Sequence, residues 1–344
     1  MVNLLEVERR VKSSTGLTTP INIQGIGFNV PNRVVTNAEV VKDLDTTDEW
    51  IQAKTGIKER RFLEDSYVTS DLCLDACVEA LTDAGITAED VDVIILSTVT
   101  PDKSLPSTAM VLKEKLGASK ALPFDLNQVA CAGGIYSIYL GAHLLQNKNI
   151  NNVLVVGAEI LSRYTDPSDR STRVFFGDAA GAIVLQKTMD GYGLLSFDLK
   201  SELNDAVEIP GGGTESLRSF NKEAENLFIK MNGREVWNVA TKAIPSSIQD
   251  VVHAAGLTIE EIDHFIIHQA NLNIIKEALD VLDVPFEKTT ITVQDYGNTG
   301  SATIFSSLYK AMKERKISDN DYIVFSAIGA GFLWGSLCFK YINN

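Results

Sequence analysis

The sequence predicts an α/β fold built twice over. Three observations carry this: helical and strand-like segments alternate, one helix–turn–strand unit recurs half a chain later, and apolar strands in both halves end in small residues.

The repeated unit comes first. Residues 80–96 read ALTDAGITAEDVDVIIL and residues 251–267 read VVHAAGLTIEEIDHFII. Gly85 matches Gly256 at an offset of 171 (256 − 85), about half of the 344 residues. In each copy an apolar-periodic helix ends at a glycine, Thr87 or Thr258 caps a short acidic turn, and a β-branched run follows as a buried strand. A second echo links NNVLVVGAE (151–159) with DYIVFSAIGAG (321–331), each preceded by a helix rich in small residues, 132–146 and 301–314. The expected organisation is an N-terminal extension (1–19), a first half (20–190) and a second half (191–344), related by a pseudo-two-fold.

Bulk properties agree with two units. The chain is too long for one ordinary core, and 45% hydrophobic with 22% charged residues is globular composition. A net charge of −14 argues against a nucleic-acid partner, whose phosphates need a basic surface. The four cysteines, Cys73, Cys77, Cys131 and Cys338, form no CxxC pair, so no metal site is expected. Few cysteines and no signal-like segment point to the cytoplasm, and no apolar run approaches the ~18 residues of a membrane span.

FDLNQVACAGGIYSIYLGAHLL (124–145) carries the first chemical signal. FDLNQV reads as a buried strand, Ala130 to Gly134 as a small-residue turn, and the rest as a helix. Cys131 then sits at a helix N-terminus, where free amides and the helix dipole favour a thiolate and small neighbours admit a thioester. On this segment alone, a reactive thiol and an inert buried one are about equally matched. Cys73 and Cys77, four apart in a helix, and Cys338, in an apolar strand, read as core.

The strand HFIIHQANLNII delivers His268 to its C-terminal end, the edge where α/β sheets collect ligands, with a helix starting near Asn271. His264, His143 and His253 read as structural. Gly297 to Ser301 is a turn before a small-residue helix, in the place that the Cys131 corner holds in the first half. If the halves face each other, Cys131, His268 and Asn298 meet; taken alone, the turn is an ordinary N-cap. Gly329, Ala330 and Gly331 form a link between strands, either a plain hairpin turn or a source of oxyanion-binding amides. DAAGA and Gly211–Gly213 are too short for a dinucleotide fingerprint, so no redox cofactor is expected.

Six motifs in one order resemble the β-ketoacyl-acyl carrier protein synthase III group of the thiolase superfamily, over residues 20–342: DEWIQAKTGIKERR (48–61), VACAGG (129–134), DPSDRSTRVFFGDAAGA (166–182), HQAN (268–271), GNTGSA (297–302) and GAGFLWGS (329–336). The resemblance implies a five-layer αβαβα thiolase-like fold and a homodimer. It implies Cys131 as acyl-accepting nucleophile, with His268 and Asn298 stabilising the enolate of the extender thioester. The amide of Cys131 and one from Ala330 or Gly331 would form the acyl oxyanion hole. Trp50 and Arg170 match the pair that stacks on the adenine of coenzyme A. Asn271 falls near the pantetheine tunnel, and Lys54 and Trp237 fall at coenzyme-binding positions. The substrates would be acyl-coenzyme A and malonyl-type thioesters, with acyl carrier protein as a further partner and no bound cofactor.

Departures from the family pattern matter too. Asn273 and Asn238 stand where basic residues are frequent, and Lys54 stands where Arg is frequent, which questions carrier-protein recognition. Leu105 replaces a Phe that a partner subunit inserts at the pocket floor, and Ile328 replaces a Phe beside the extender site, leaving room for a chain longer than acetyl. Fatty-acid initiation is the leading expectation. Its rivals are a specialised-metabolism enzyme making a resorcinol, quinolone, polyketide or acyl ester, and a non-catalytic partner subunit, against which the three intact site residues stand.

Overall fold

The structure is a computed structural model that describes residues 15–127, 129–214 and 227–343. Most of the expected N-terminal extension, residues 1–14, lies outside the described residues. In the first half, β1 (Ile21–Asn29) leads to a short antiparallel pair, β2 (Val34–Thr36) and β3 (Glu59–Arg61), which brackets α1 (Asn37–Val40) and α2 (Asp48–Thr55). Then follow α3 (Thr69–Asp83), β4 (Val93–Ser97), α4 (Thr108–Leu116), β5 (Leu122–Leu126), α5 (Gly133–Leu144), β6 (Asn152–Ile160), α6 (Arg170–Arg173) and β7 (Asp178–Lys187). The second half holds β8 (Gly193–Asn204), β9 (Val207–Glu208), β10 (Lys230–Met231), α7 (Gly233–Ala254), β11 (His264–Ile267), α8 (Leu272–Val281), α9 (Val293–Tyr296), α10 (Thr303–Lys313), β12 (Tyr322–Gly329) and β13 (Gly331–Lys340).

These form two mixed sheets of matching topology. The first has the order β1-β7-β6-β4-β5 and the second β8-β13-β12-β11. β4 runs parallel to β6, and β11 parallel to β12; the remaining neighbours of β6 and β12 are antiparallel. Where β5 flanks β4, the second sheet has, among the described residues, only a parallel bridge from Phe265 to Thr289. The repeated turns are built alike. Gly85 (φ +66) and Gly256 (φ +76) end their helices, and the Thr87 and Thr258 amides donate to Asp90 (2.9 Å) and Glu261 (2.8 Å).

Three apolar clusters divide the molecule into five layers. α3 and α4 cover the outer face of the first sheet, with Leu72, Cys73, Ala76, Cys77 and Ala80 as the buried stripe of α3. α5 and α10 fill the space between the sheets. α7 and α8 cover the outer face of the second, where Cys338 is buried. The DAAGA motif serves this packing: a Cβ on Gly181 would lie 2.3 Å from the Phe305 side chain of α10.

One expectation is corrected. The strand before Cys131 is β5, and it is not buried. It has a single strand neighbour, leaving Leu122 65% and Phe124 36% exposed. Among the described residues, no helix is long and apolar enough to cross a membrane.

Candidate active site

Cys131 lies in a 3-10 turn, Ala130–Ala132, that opens directly into α5. The corner is tight enough to force Ala130 to φ +47, a left-handed conformation that costs an alanine about 1–2 kcal/mol. The second half makes the same corner at Gly300–Ala302 before α10, 170 residues on (300 − 130), and uses Gly300 at φ +57.

His268 follows the last residue of β11. Its amide donates to the Ser326 carbonyl at 2.8 Å, continuing the parallel ladder, and the residue is 4% exposed. Nδ1 lies 2.6 Å from the Thr303 hydroxyl at the start of α10. Burial holds the imidazole down to about 3, so the ring is neutral at ordinary pH.

Asn298 is pinned on both sides. Its amide donates to Phe175 O (2.8 Å), and its carbonyl accepts from the Gly177 amide (3.0 Å). Its Oδ1 accepts the Gly300 amide at 2.9 Å, and Cys131 Sγ stands 4.0 Å from the same oxygen. A backbone N–H can only donate, so the oxygen faces the turn and the side-chain NH2 remains for a ligand.

The β12–β13 hairpin closes on the nucleophile turn. A Cβ on Gly329 would lie 2.4 Å from Val129 O, 2.8 Å from the Ala132 amide and 3.1 Å from the Cys131 amide. Only glycine permits that approach. Ala330 thereby faces the same space as Cys131, while Gly331, at φ +126, begins the returning strand and does not line that space.

The space is a cavity of about 170 Å³ lined by Cys131, His268, Asn298, Ala330, Glu159, Asn271, Ile328 and Trp237, with Val99, Leu161, Phe176, Ile229, Ile274 and Phe332 among its apolar walls. Residues from both halves meet there. Asn271 caps α8 and donates from Nδ2 to the Lys54 carbonyl at 3.1 Å; Asn273 donates to the same carbonyl at 3.0 Å. The start of α8 is thus fastened to the end of α2. On the outward side of α2 the Arg170 guanidinium lies 5.1 Å above the half-exposed Trp50 ring. Leu105 is elsewhere: it is 84% exposed and lies outside the cavity of its own chain.

The charge state of Cys131 corrects an expectation. Burial, then the nearby Glu159 carboxylate, push the thiol up to about 12, opposite to the lowering argued from the helix terminus.

Glu159 is a site residue that sequence reasoning passed over. It ends the apolar run of β6, fully buried, and accepts from the Val99 amide (3.1 Å) and the hydroxyls of Thr100 (3.0 Å) and Ser301 (3.1 Å). Burial pushes it up to about 7. The available signal was an acid closing an otherwise uncharged strand.

Residues 124–203 match the family described as 3-oxoacyl-[acyl-carrier-protein] synthase III, and residues 252–341 match its C-terminal region. The chain is 41% identical over 323 residues to β-ketoacyl-[acyl-carrier-protein] synthase III 1 of Halalkalibacterium halodurans, covering 94% of this chain and 99% of that one. It superposes on the crystal structure of 3-oxoacyl-[acyl-carrier-protein] synthase III from Aquifex aeolicus with a TM-score of 0.84 at 37% identity, covering 93% of this chain and all of that one. The priming β-ketosynthase of a polyketide biosynthetic pathway matches with a TM-score of 0.86 at 27% identity, covering 94% of this chain and 98% of that one.

Proposed function

Given that this chain belongs to the β-ketoacyl-[acyl-carrier-protein] synthase III family, a group of thiolase-fold acyltransferases, we propose how its own residues perform the family's reaction. That reaction is the decarboxylative condensation that initiates fatty-acid synthesis. The observation that carries the assignment of roles is the convergence of Cys131, His268 and Asn298, from both halves, on one cavity.

In the first step Cys131 Sγ attacks the carbonyl of an acyl-coenzyme A. The new S–C bond replaces the bond to coenzyme A, and the departing thiolate takes the Cys131 proton. Burial and the Glu159 carboxylate raise the thiol, which favours loss of its proton as the S–C bond forms. The Cys131 amide and that of Ala330, which faces the same space, bind the oxyanion.

In the second step a malonyl thioester on acyl carrier protein loses carbon dioxide. The electron pair from the broken C–C bond forms an enolate, whose oxygen accepts from the Asn298 NH2 and, once the Thr303 hydroxyl turns its proton from the Gly300 carbonyl to Nδ1, from the Nε2–H of neutral His268. The enolate carbon attacks the acyl thioester, a C–C bond forms, and Cys131 leaves as a thiolate that is then protonated. Fixing both donors beforehand on a strand end and a pinned turn spares reorganisation.

Trp50 and Arg170 clamp the adenine of coenzyme A at the surface, and Lys54, Asn271 and Trp237 guide the pantetheine arm inward. Ile328 borders the acyl space, and Leu105 of a second copy supplies its floor, which accommodates a chain longer than acetyl. The bare edge of β5, with Leu122 and Phe124 exposed, suits pairing with that second copy. The four cysteines are all free, which suits a reducing compartment, so we place the enzyme in the cytoplasm. A specialised-metabolism product has more distant relatives behind it, such as the priming β-ketosynthase at 27% identity.

The test is intact mass spectrometry of wild type and Cys131→Ala after incubation with acyl thioesters of graded length, on coenzyme A and on carrier protein. A mass gain that requires Cys131, strongest with coenzyme A donors, is expected. No adduct from any donor would refute the assignment of the nucleophile.

A further inference from the structure

Arg60, in the middle of β3, is fully buried, yet among the described residues it makes no ion pair. Its Nη1 donates to Asn37 Oδ1 (2.7 Å), its Nη2 donates to the Val174 carbonyl (2.7 Å), and its Nε has no partner among the described residues. A buried guanidinium without a carboxylate is costly, and an apolar side chain of similar volume would serve packing better. What distinguishes Arg60 is the set of elements its two bonds hold.

One bond leads to α2. Asn37 donates to Asp48 Oδ1 (2.7 Å) and to the Ile57 carbonyl (2.7 Å), so it grips both ends of the helix that carries Trp50. The other bond leads to the residue that ends α6, the helix of Arg170. One residue further, Phe175 O receives the Asn298 amide. Arg60 also presses on the far side of that loop: a Cβ on Gly177 or on Gly297 would lie 3.0 Å or 3.4 Å from the Arg60 Cβ.

We propose that Arg60 is a positioning residue, a buried brace that sets the spacing of the Trp50–Arg170 clamp and the placement of Asn298 together. The inference rests on reading Trp50 and Arg170 as the coenzyme clamp. Arg60 does not reach the Cys131 turn, so acyl transfer at saturating donor does not depend on it.

The experiment compares Arg60→Met, Arg60→Lys and the milder Asp48→Ala, which loosens the network from its exposed end, with Trp50→Ala as control. Three quantities are measured: KM for acyl-coenzyme A in loading of Cys131, the loading rate at saturation, and the condensation rate of preloaded enzyme with malonyl-carrier protein. For the Arg60 variants the expected result is a KM raised about tenfold and a condensation rate lowered about tenfold, the scale of one charge-assisted hydrogen bond. The saturated loading rate stays within about twofold; Asp48→Ala shows the same pattern at smaller size, and it carries the test should Arg60 variants fail to fold. A merely structural role would lower both rates in step with thermal stability, or leave all three quantities unchanged, and either result overturns the proposal. If Trp50→Ala leaves the loading KM unchanged, the clamp reading falls and the inference with it. If Trp50→Ala raises that KM and the Arg60 and Asp48 variants do not, the inference alone is overturned.

Discussion

Asn298 turns its oxygen, not its nitrogen, toward Cys131: Oδ1 and Sγ are 4.0 Å apart, and the Gly300 amide holds that oxygen at 2.9 Å. The orientation separates two tasks. The acceptor end of the amide faces the thiol, and the donor end is left for the substrate that arrives second.

Asn298→Ala and His268→Ala should therefore spare loading and abolish joining. Acylation of Cys131, read by intact mass, is expected within a few-fold of wild type. Condensation should fall about 10²–10³-fold for each, the usual loss for one preorganised oxyanion donor. Equal loss of both steps would reject the division of roles.

Glu159→Gln should make Cys131 more reactive. The carboxylate helps to push the thiol up to about 12, and the amide removes its charge while keeping its shape. Alkylation by iodoacetamide at pH 8–9 is expected to rise roughly three- to tenfold. The gain should shrink below pH 7, since Glu159, itself pushed up to about 7, is then protonated in wild type. A gain that persists unchanged at pH 6 would contradict the electrostatic cause.

Stability should respond to acid through buried histidine. His268 is held down to about 3 in the folded chain, whereas the unfolded chain takes up its proton near 6.5. As pH falls below 6.5, protons favour the unfolded chain, so stability is lost, by about 1.4 kcal/mol per pH unit. Glu159 and Asp178, raised to about 7 and about 6, act oppositely and lose their contribution as pH rises through those values. The unfolding free energy of wild type minus that of His268→Gln, from denaturant titrations, isolates the histidine. That difference should decline from pH 6.5 toward 3; a difference independent of pH would refute the assigned protonation state.

Gly329→Ala inserts a methyl 2.4 Å from Val129 O and 3.1 Å from the Cys131 amide. The hairpin and the nucleophile turn must separate. A stability loss of about 1–3 kcal/mol is expected, with a fall in saturated loading rate larger than in any variant of the clamp. Wild-type loading in a folded Gly329→Ala protein would show that the hairpin does not complete the oxyanion site.

Phe124→Glu places a charge on the exposed edge of β5. Sedimentation should show wild type as a dimer and this variant as a monomer at the same concentration, and, with the pocket floor proposed to come from Leu105 of a second copy, the variant's preference among acyl donors should broaden. A wild type that sediments as a monomer, or an unaltered dimer in the variant, would remove β5 from the interface.

Much of this arrangement was legible in local pattern. The copies around Gly85 and Gly256 share turn chemistry, so the duplication of sheets could be read from Thr87–Asp90 and Thr258–Glu261. His268 at a strand end and Cys131 at a strand-to-helix corner were legible because chain position fixes both. What depends on the enclosing second half was not. The proton affinity of Cys131 is set by burial between layers, and the exposure of β5 by its lack of a second strand neighbour. Glu159 and Arg60 looked like ordinary charges because their partners, Ser301 and Val174, lie more than 100 residues away in sequence.

The hydrocarbon walls of the cavity also bear on what does not happen there. An acyl group on Cys131 is a thioester that water can hydrolyse, and hydrolysis is faster when a base draws a proton from the attacking water. Burial weakens His268 as a base, and the oxygens of Glu159 are engaged by the Val99 amide and by the hydroxyls of Thr100 and Ser301 rather than turned to a water beside Cys131. The carbon nucleophile has no such need, because it is born as an anion when carbon dioxide leaves. The scarcity of a free base beside Cys131 therefore favours the carbon nucleophile over water, and hydrolysis of the acyl enzyme is expected to be slower than its condensation.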